Sequence, residues 1–202
     1  MGTKLARLDR VGRPKQFDPD AAVARATEVF WRKGYADTTP QDLVDALGIG
    51  KGSLYNTFGS KHALFERALE HYRDNQSATV TGLLEQSGPV KERLRDALRL
   101  VAEANLTDPD RRGCLAVNTA AALGGVDAEA TALVGRMFDR TEAAFQAAIE
   151  EGQRAGEIDR GRDPRATASM LLSTLVGMQV LSKTADGPDR SMRTIDAVID
   201  SL

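Results

Sequence analysis

Three observations predict an all-α chain built in two parts. No stretch of the 202 residues alternates apolar and polar side chains as a half-buried strand does. Residues Thr38 to Lys61 (TTPQDLVDALGIGKGSLYNTFGSK) encode two short helices around a glycine turn. Beyond Gly88-Pro89 the apolar spacing is helical throughout, with breaks at Asp108-Pro109, Gly124-Gly125, Gly156 to Gly161 and Gly187-Pro188.

The elements follow in order. Met1 to Gln16 holds Lys4, Arg7, Arg10, Arg13 and Lys15 against Asp9 alone, with Gly12 and Pro14 preventing a continuous helix, so it reads as a flexible basic arm. Gly12-Arg13-Pro14 fits an extended segment in a narrow minor groove, where negative potential attracts arginine. The first helix takes Asp18 as N-cap and Pro19 at N1, buries Val23, Ala26 and Phe30, and stops at Gly34. Thr39, Pro40 and Asp42 form a capping box for the second, whose apolar face is Leu43, Ala46 and Leu47, with Gly48 as its left-handed stop.

The third helix begins near Lys51. Leu54 and Phe58, at i and i+4, point inward and leave Lys51, Gly52, Ser53, Tyr55 and Asn56 outward. A cation, a bare backbone, hydroxyls and an amide on one short helix suit a DNA groove. Thr39 and Lys61, at flanking helix starts, are candidate phosphate contacts. Ser60 caps a fourth helix whose stripe of Leu64, Phe65, Ala68, Leu69 and Tyr72 links the two parts.

With Asp18 to Tyr35 in front, this region resembles the N-terminal DNA-binding domain of the TetR family of one-component repressors. The resemblance covers roughly residues 16–75 and is carried by VFWRKGYADTTPQDL, ALGIGKGSLYNTFGSK and LFERAL. It implies a three-helix DNA-binding domain with a helix-turn-helix, followed by a C-terminal helical ligand-binding and dimerisation domain. It also implies a homodimer on a palindromic double-stranded operator and a small-molecule inducer. Gly50 stands where such proteins often place a Ser or Thr cap, at a cost of a few tenths of a kcal/mol. The expected organisation is an arm at 1–16, a DNA-binding domain at 17–62 and a regulatory domain at 63–202.

Charge agrees with a local nucleic-acid footprint. Residues 1–75 carry 12 Lys and Arg against 10 Asp and Glu, and residues 76–202 carry 15 against 19, so +2 and −4 sum to the net −2. Signal-peptide and membrane-span patterns are absent, the longest apolar run, Met170 to Leu181, being interrupted and short, and the expected location is the cytoplasm. His62, His71 and a distant Cys114 make no metal-ligand spacing, so no metal or cofactor is expected.

In the second part, Leu94, Leu98 and Val101 mark one helix, Cys114 to Leu123 a shorter one, and Ala128 to Glu150 a long one. Asp163-Pro164 begins a helix apolar almost all round from Ala166 to Leu181, which must be covered on two sides. Ser173 and Gly177 allow a close helix approach there. Met192, Ile195, Ile199 and Leu202 give the last helix one stripe, so these two helices are the expected dimer interface.

Eight of ten aromatics lie at or before Tyr72, so a pocket in the second part is expected to be aliphatic and sulfur-rich. Its candidate residues are Leu98, Val101, Met137, Phe138, Met170 and Met178, which equally serve as plain core. Cys114 follows Arg111-Arg112-Gly113 at a helix start, and both features favour a thiolate. Its segment, RGCLAVN, resembles a branch of the TetR family in which some members sense electrophiles or oxidants through such a cysteine. A small buried hydrophobe is the other reading of Cys114. A cysteine-dependent enzyme with His71 as base lacks an accompanying acid or oxyanion motif, and a helix-turn-helix used only for protein contacts is the remaining alternative. The sequence therefore points to a non-enzymatic, DNA-binding transcriptional repressor released by a small molecule or by cysteine modification.

Overall fold

The computed structural model describes residues 17–202, apart from the side chains of 76–78, and what was expected of the arm and of Arg13 lies outside that span. Ten α-helices follow one another, and the described residues contain no strand. α1 (Pro19–Asp37) is capped by Asp18, whose carboxylate accepts from the Asp20 N–H, and buries Val23, Ala26 and Phe30. The expected stop at Gly34 is a kink. Gly34 takes φ 79°, and one further turn carries the helix to Asp37.

α2 (Pro40–Leu47) opens on the complete Thr39–Asp42 capping box and ends at left-handed Gly48. Ala46 does not join its inner face. Leu43 and Leu47 are buried and Val44 is half-buried, because the helix turns Ala46 to solvent. α3 (Lys51–Phe58) starts at Gly50 without a side-chain cap and buries Leu54 and Phe58. α4 (Lys61–Tyr72) is capped by Ser60 and buries its whole expected stripe, then passes through a π-helical turn at Arg73–Ser77 into α5 (Ala78–Leu84).

α6 (Val90–Thr107), α7 (Leu115–Leu123) and α8 (Ala128–Ala155) follow the glycine and proline breaks. α8 runs five residues past Glu150, to a left-handed Gly156. Its 28 residues span about 42 Å at the usual rise. α9 (Pro164–Leu181) and α10 (Asp189–Asp200) complete the chain.

Two apolar cores result. The first joins Phe30, Leu43, Leu54, Leu64 and Phe65 to Leu115, Leu133, Val134 and Met137. The second joins Leu94, Leu98, Phe145, Ile149, Leu171, Ile195 and Ile199. α8 contributes to both. Burying one such Leu or Phe side chain stabilises the fold by about 1.5–3 kcal/mol. Arg93, only 7 % exposed, pins the segments around the second core by donating to the Leu84 and Gln86 carbonyls at 2.7 and 2.6 Å and pairing with Glu151 on α8.

A polar clasp joins α4 to α8. The His62 Nε2 lies 2.6 Å from a carboxylate oxygen of Asp127, which also caps α8 through the Ala130 N–H. Hydrogen bonding to Asp127, then the charges of Asp127, Glu66 and Glu129, hold the His62 pKa above 6.5 against opposing burial. A raised folded-state value means that this stabilisation is full below 6.5 and is lost as pH rises through the folded value. The melting temperature of the wild type is therefore expected to fall more between pH 6.5 and 8.5 than that of His62→Gln. Parallel curves in a pH series of thermal melts would show that the clasp contributes nothing.

Candidate nucleic-acid interface

α3 is held from behind. Leu54 and Phe58 sit in the first core, and Phe17 and the Arg67 guanidinium approach the outer side of Phe58, with ring centroids 6.4 Å apart and the guanidinium 5.4 Å from the ring. This fixes which side of the helix faces out. Lys51, Gly52, Ser53 and Asn56 are exposed and Tyr55 is half-buried. Among the described residues the Lys51, Ser53 and Asn56 side chains take part in no hydrogen bond or ion pair, so their donors and acceptors are available to a groove. Gly52 has open space where a Cβ would stand, so its backbone can approach another surface closely.

The flanking helix starts are more committed than their sequence positions suggest. The Thr39 hydroxyl accepts from the Asp42 N–H at 3.2 Å and donates to its carboxylate at 2.8 Å. Lys33 donates to the same carboxylate at 2.6 Å, and with the Thr39 bonds this lowers the Asp42 pKa to about 2. Lys61 departs further from the expected phosphate contact. Its ammonium donates to the Tyr35 and Thr38 carbonyls at 2.8 Å each and lies 4.3 Å from the Tyr35 ring centroid. The carbonyls at the end of α1 lack intrahelical donors, and Lys61 supplies them. It is first of all a clamp between α1 and α4.

Below this unit lies a cavity of about 530 Å³, a size common for small-molecule sites. Val101, Met137 and Phe138 line it, as expected. The other expected residues do not. Leu98 and Met178 belong to the second core, and Met170 is 37 % exposed on the outside of α9, because the helical register turns each away. Nor are the walls purely aliphatic. Trp31 and Tyr72 also line the cavity, the first reaching it from α1 of the N-terminal unit and the second from the end of α4, which sequence distance conceals.

Cys114 stands at the N-cap position of α7 without a side-chain cap bond, and it lines the cavity. The arginines beside it are engaged elsewhere. Arg112 bonds to Asp108 at 2.9 Å, pairs with Glu28, and stacks 4.2 Å from the Trp31 centroid, while Arg111 donates to the Ala185 carbonyl. Lys183 donates to Asn118. The thiol instead receives the Tyr72 O–H at 3.3 Å, and burial followed by the neighbouring sulfur pushes the Tyr72 pKa well up. The Trp31 ring meets Tyr72 edge-on at 5.0 Å, and its N–H donates to the Gly113 carbonyl at 2.9 Å. His71 lies 3.3 Å through Nδ1 from the Asn75 amide while Cys114 pairs with Tyr72, and among the described residues no hydrogen bond joins His71 to Cys114 as considered from sequence. His62, Glu66 and Glu129 bring ligand-type atoms within 4.8 Å of one another, the first two at i and i+4 on α4 and the third brought to them by folding.

Residues 22–68 match the family model for bacterial regulatory proteins of the tetR family, and residues 90–198 match that for the tetracyclin repressor-like C-terminal domain. The chain is 33 % identical over 194 residues to the HTH-type transcriptional regulator YezE of Bacillus subtilis, covering 95 % of this chain and all of that one. It is 28 % identical over 183 residues to the HTH-type transcriptional repressor ComR of Escherichia coli, covering 90 % of this chain and 87 % of that one. A cysteine mutant of the regulator CifR, solved with 26-bp double-strand operator DNA, superposes with a TM-score of 0.81 at 28 % identity, covering 95 % and 100 % of the two chains.

Replacing Asn56 by Ala is expected to relax sequence preference by about 1–3 kcal/mol if its amide reads a base edge. Lys51→Ala is expected to weaken all duplexes alike and to reduce the salt slope by about one. Anisotropy titrations of a selected operator and a scrambled duplex at several salt concentrations test both. Wild-type behaviour in the two variants would displace α3 as the reading element.

Proposed function

The chain belongs to the TetR family of bacterial transcriptional regulators, and from that premise we propose that it is a homodimeric, cytoplasmic repressor released from a palindromic operator by an effector in the internal cavity. Residues 17–62 serve as the DNA-binding domain and 63–202 as the regulatory and dimerisation domain. On α3, Lys51, Gly52, Ser53, Tyr55 and Asn56 meet the major groove, with Thr39 beside them. The observation that carries this proposal is the unpartnered polar face of α3, held rigidly by Leu54 and Phe58. DNA affinity falls when the effector binds preferentially to a dimer whose half-site spacing does not fit the operator. No helix among the described residues is long and apolar enough to cross a membrane.

The dimer forms through α9 and α10. On α9, Met170, Val180 and Leu181 are 37, 51 and 47 % exposed, an apolar face that the described residues leave uncovered. Gly177 lies on this helix with open space around its Cβ position, so a side chain there does not clash within one protomer. Gly177→Glu is therefore expected to keep its helical content and sediment as a monomer. A dimer of unchanged mass at micromolar concentration places the interface elsewhere.

Cysteine modification is the second route to release, favoured by the place of Cys114 in the cavity lining and by the bond its sulfur accepts from Tyr72. Added bulk there separates α7 from α4. Maleimide treatment is expected to reduce operator binding by the wild type and leave Cys114→Ser unaffected, with thiol labelling as the control. Equal loss in both proteins would falsify the cysteine route and leave reversible occupancy of the cavity.

A further inference from the structure

Two amides stand in the cavity wall, Asn105 on α6 and Gln179 on α9. They are 7 % and 8 % exposed, so each is more than nine-tenths buried. Asn105 Nδ2 and Gln179 Oε1 have no hydrogen-bond partner among the described residues. Amides in such positions ordinarily find partners, because an unsatisfied buried polar group is costly. Leucine or methionine would fill the same space without that cost. These two side chains are therefore poor as packing, and a half-turn of either amide, which exchanges its sealed atom with its other one, suits it to meeting a polar group inside the cavity.

The remaining wall defines what kind of molecule carries that group. Leu100, Val101, Phe138 and Leu172 present hydrocarbon, with Thr79, Thr107 and Thr141 among them, and the last two hydroxyls donate to carbonyls of their own helices. Its charges are spent, since Asp108 and Arg112 bond at 2.9 Å and Arg112 also pairs with Glu28. A carboxylate or ammonium entering this space loses its hydration and gains no free counter-charge, so ionised ligands are disfavoured. A carbonyl oxygen has two lone pairs and accepts from two amide N–H groups, whereas a hydroxyl also donates to an amide oxygen. Each amide offers either function after a half-turn of its terminal torsion.

We infer that the cavity recognises a neutral, mainly apolar molecule through one carbonyl or hydroxyl oxygen held by Asn105 and Gln179. The inference rests on the cavity being the effector site and names the chemistry of that effector. It also gives the effector a direct hold on the DNA-binding unit, because Trp31 of α1 and Tyr72 of α4 line the same space. Arg112, which lines the same cavity, stacks over the Trp31 ring. A ligand gripped between α6 and α9 thus presses its hydrocarbon body against the helices that carry α3.

Trp31 is the sole tryptophan of the chain, so its fluorescence reports occupancy of the cavity directly. The full-length protein is titrated with octan-2-one, octan-2-ol, octanoate and octylammonium, four chains of similar length and different head groups. Saturable fluorescence changes are expected with the ketone and alcohol, and at least about tenfold weaker binding with the two ions, a difference of about 1.4 kcal/mol. Asn105→Leu and Gln179→Met are each expected to weaken octan-2-one binding several-fold. Their melting temperatures are expected to hold or rise, since each change removes an orphaned amide.

Three results would overturn the inference: octanoate binding as tightly as the ketone, wild-type ketone affinity in both variants, or no saturable change with any of the four. A lower melting temperature with unchanged ketone affinity likewise assigns the amides to the fold. The titrations are repeated on the protein bound to a selected operator. Ketone binding that depends on both amides but does not release DNA supports recognition of a neutral oxygen and refutes the effector role of the cavity.

Discussion

The first apolar core does not stop where the DNA-binding helices stop. Phe30 of α1 and Leu64 and Phe65 of α4 are fully or almost fully buried, in one cluster with Leu115 of α7 and Leu133 and Met137 of α8. Interiors packed at this density rearrange by discrete shifts of whole elements and do not deform continuously. A displacement of α7 or α8 is therefore passed to α1 and α4, and through them to α3. The placement of the recognition surface, the cavity and the thiol all depend on this shared packing.

Polar contacts reinforce the same joint. His62 clasps the start of α8, Lys61 ties α4 to the end of α1, and the Trp31 N–H reaches the Gly113 carbonyl. Gly113 itself takes φ 68°, and a Cβ there would meet Lys183 Cε at 2.9 Å, so that this turn packs directly against the end of α9. The segment that presents Cys114 is thereby attached to both the DNA-binding unit and the end of α9. Both routes of release proposed above, occupancy of the cavity and modification of Cys114, would act on this one mechanical junction.

The second core has a different duty. Phe145, Ile149, Leu171, Ile195 and Ile199 lock α8, α9 and α10 into a frame, with Arg93 sealing the turn between α5 and α6. That frame leaves Met170, Val180 and Leu181 outward on one side. Because α8 runs through both cores, the frame and the junction share a rigid member. In the proposed dimer through α9 and α10, this shared member is what would carry a change at the cavity to the relative placement of two recognition helices.

By itself the sequence determined what local rules determine. The Asp18, Thr39 and Ser60 caps, the left-handed stop at Gly48, the inward Leu54 and Phe58, and the breaks beyond Gly88 depend on neighbours a few residues apart, and each appears in the fold. The motif order around α2 and α3 made the family legible for the same reason. Only the tertiary structure decided which side chains share the cavity. Trp31, Tyr72, Asn105, Cys114 and Gln179 come from five different helices or their caps, and no periodicity relates them. It also decided how charges are used. Lys61, Arg111 and Arg112 look available in the sequence, but each guanidinium or ammonium finds carbonyls or carboxylates brought near by folding. A cation buries its donors where partners lie, and partners distant along the chain are placed by packing alone.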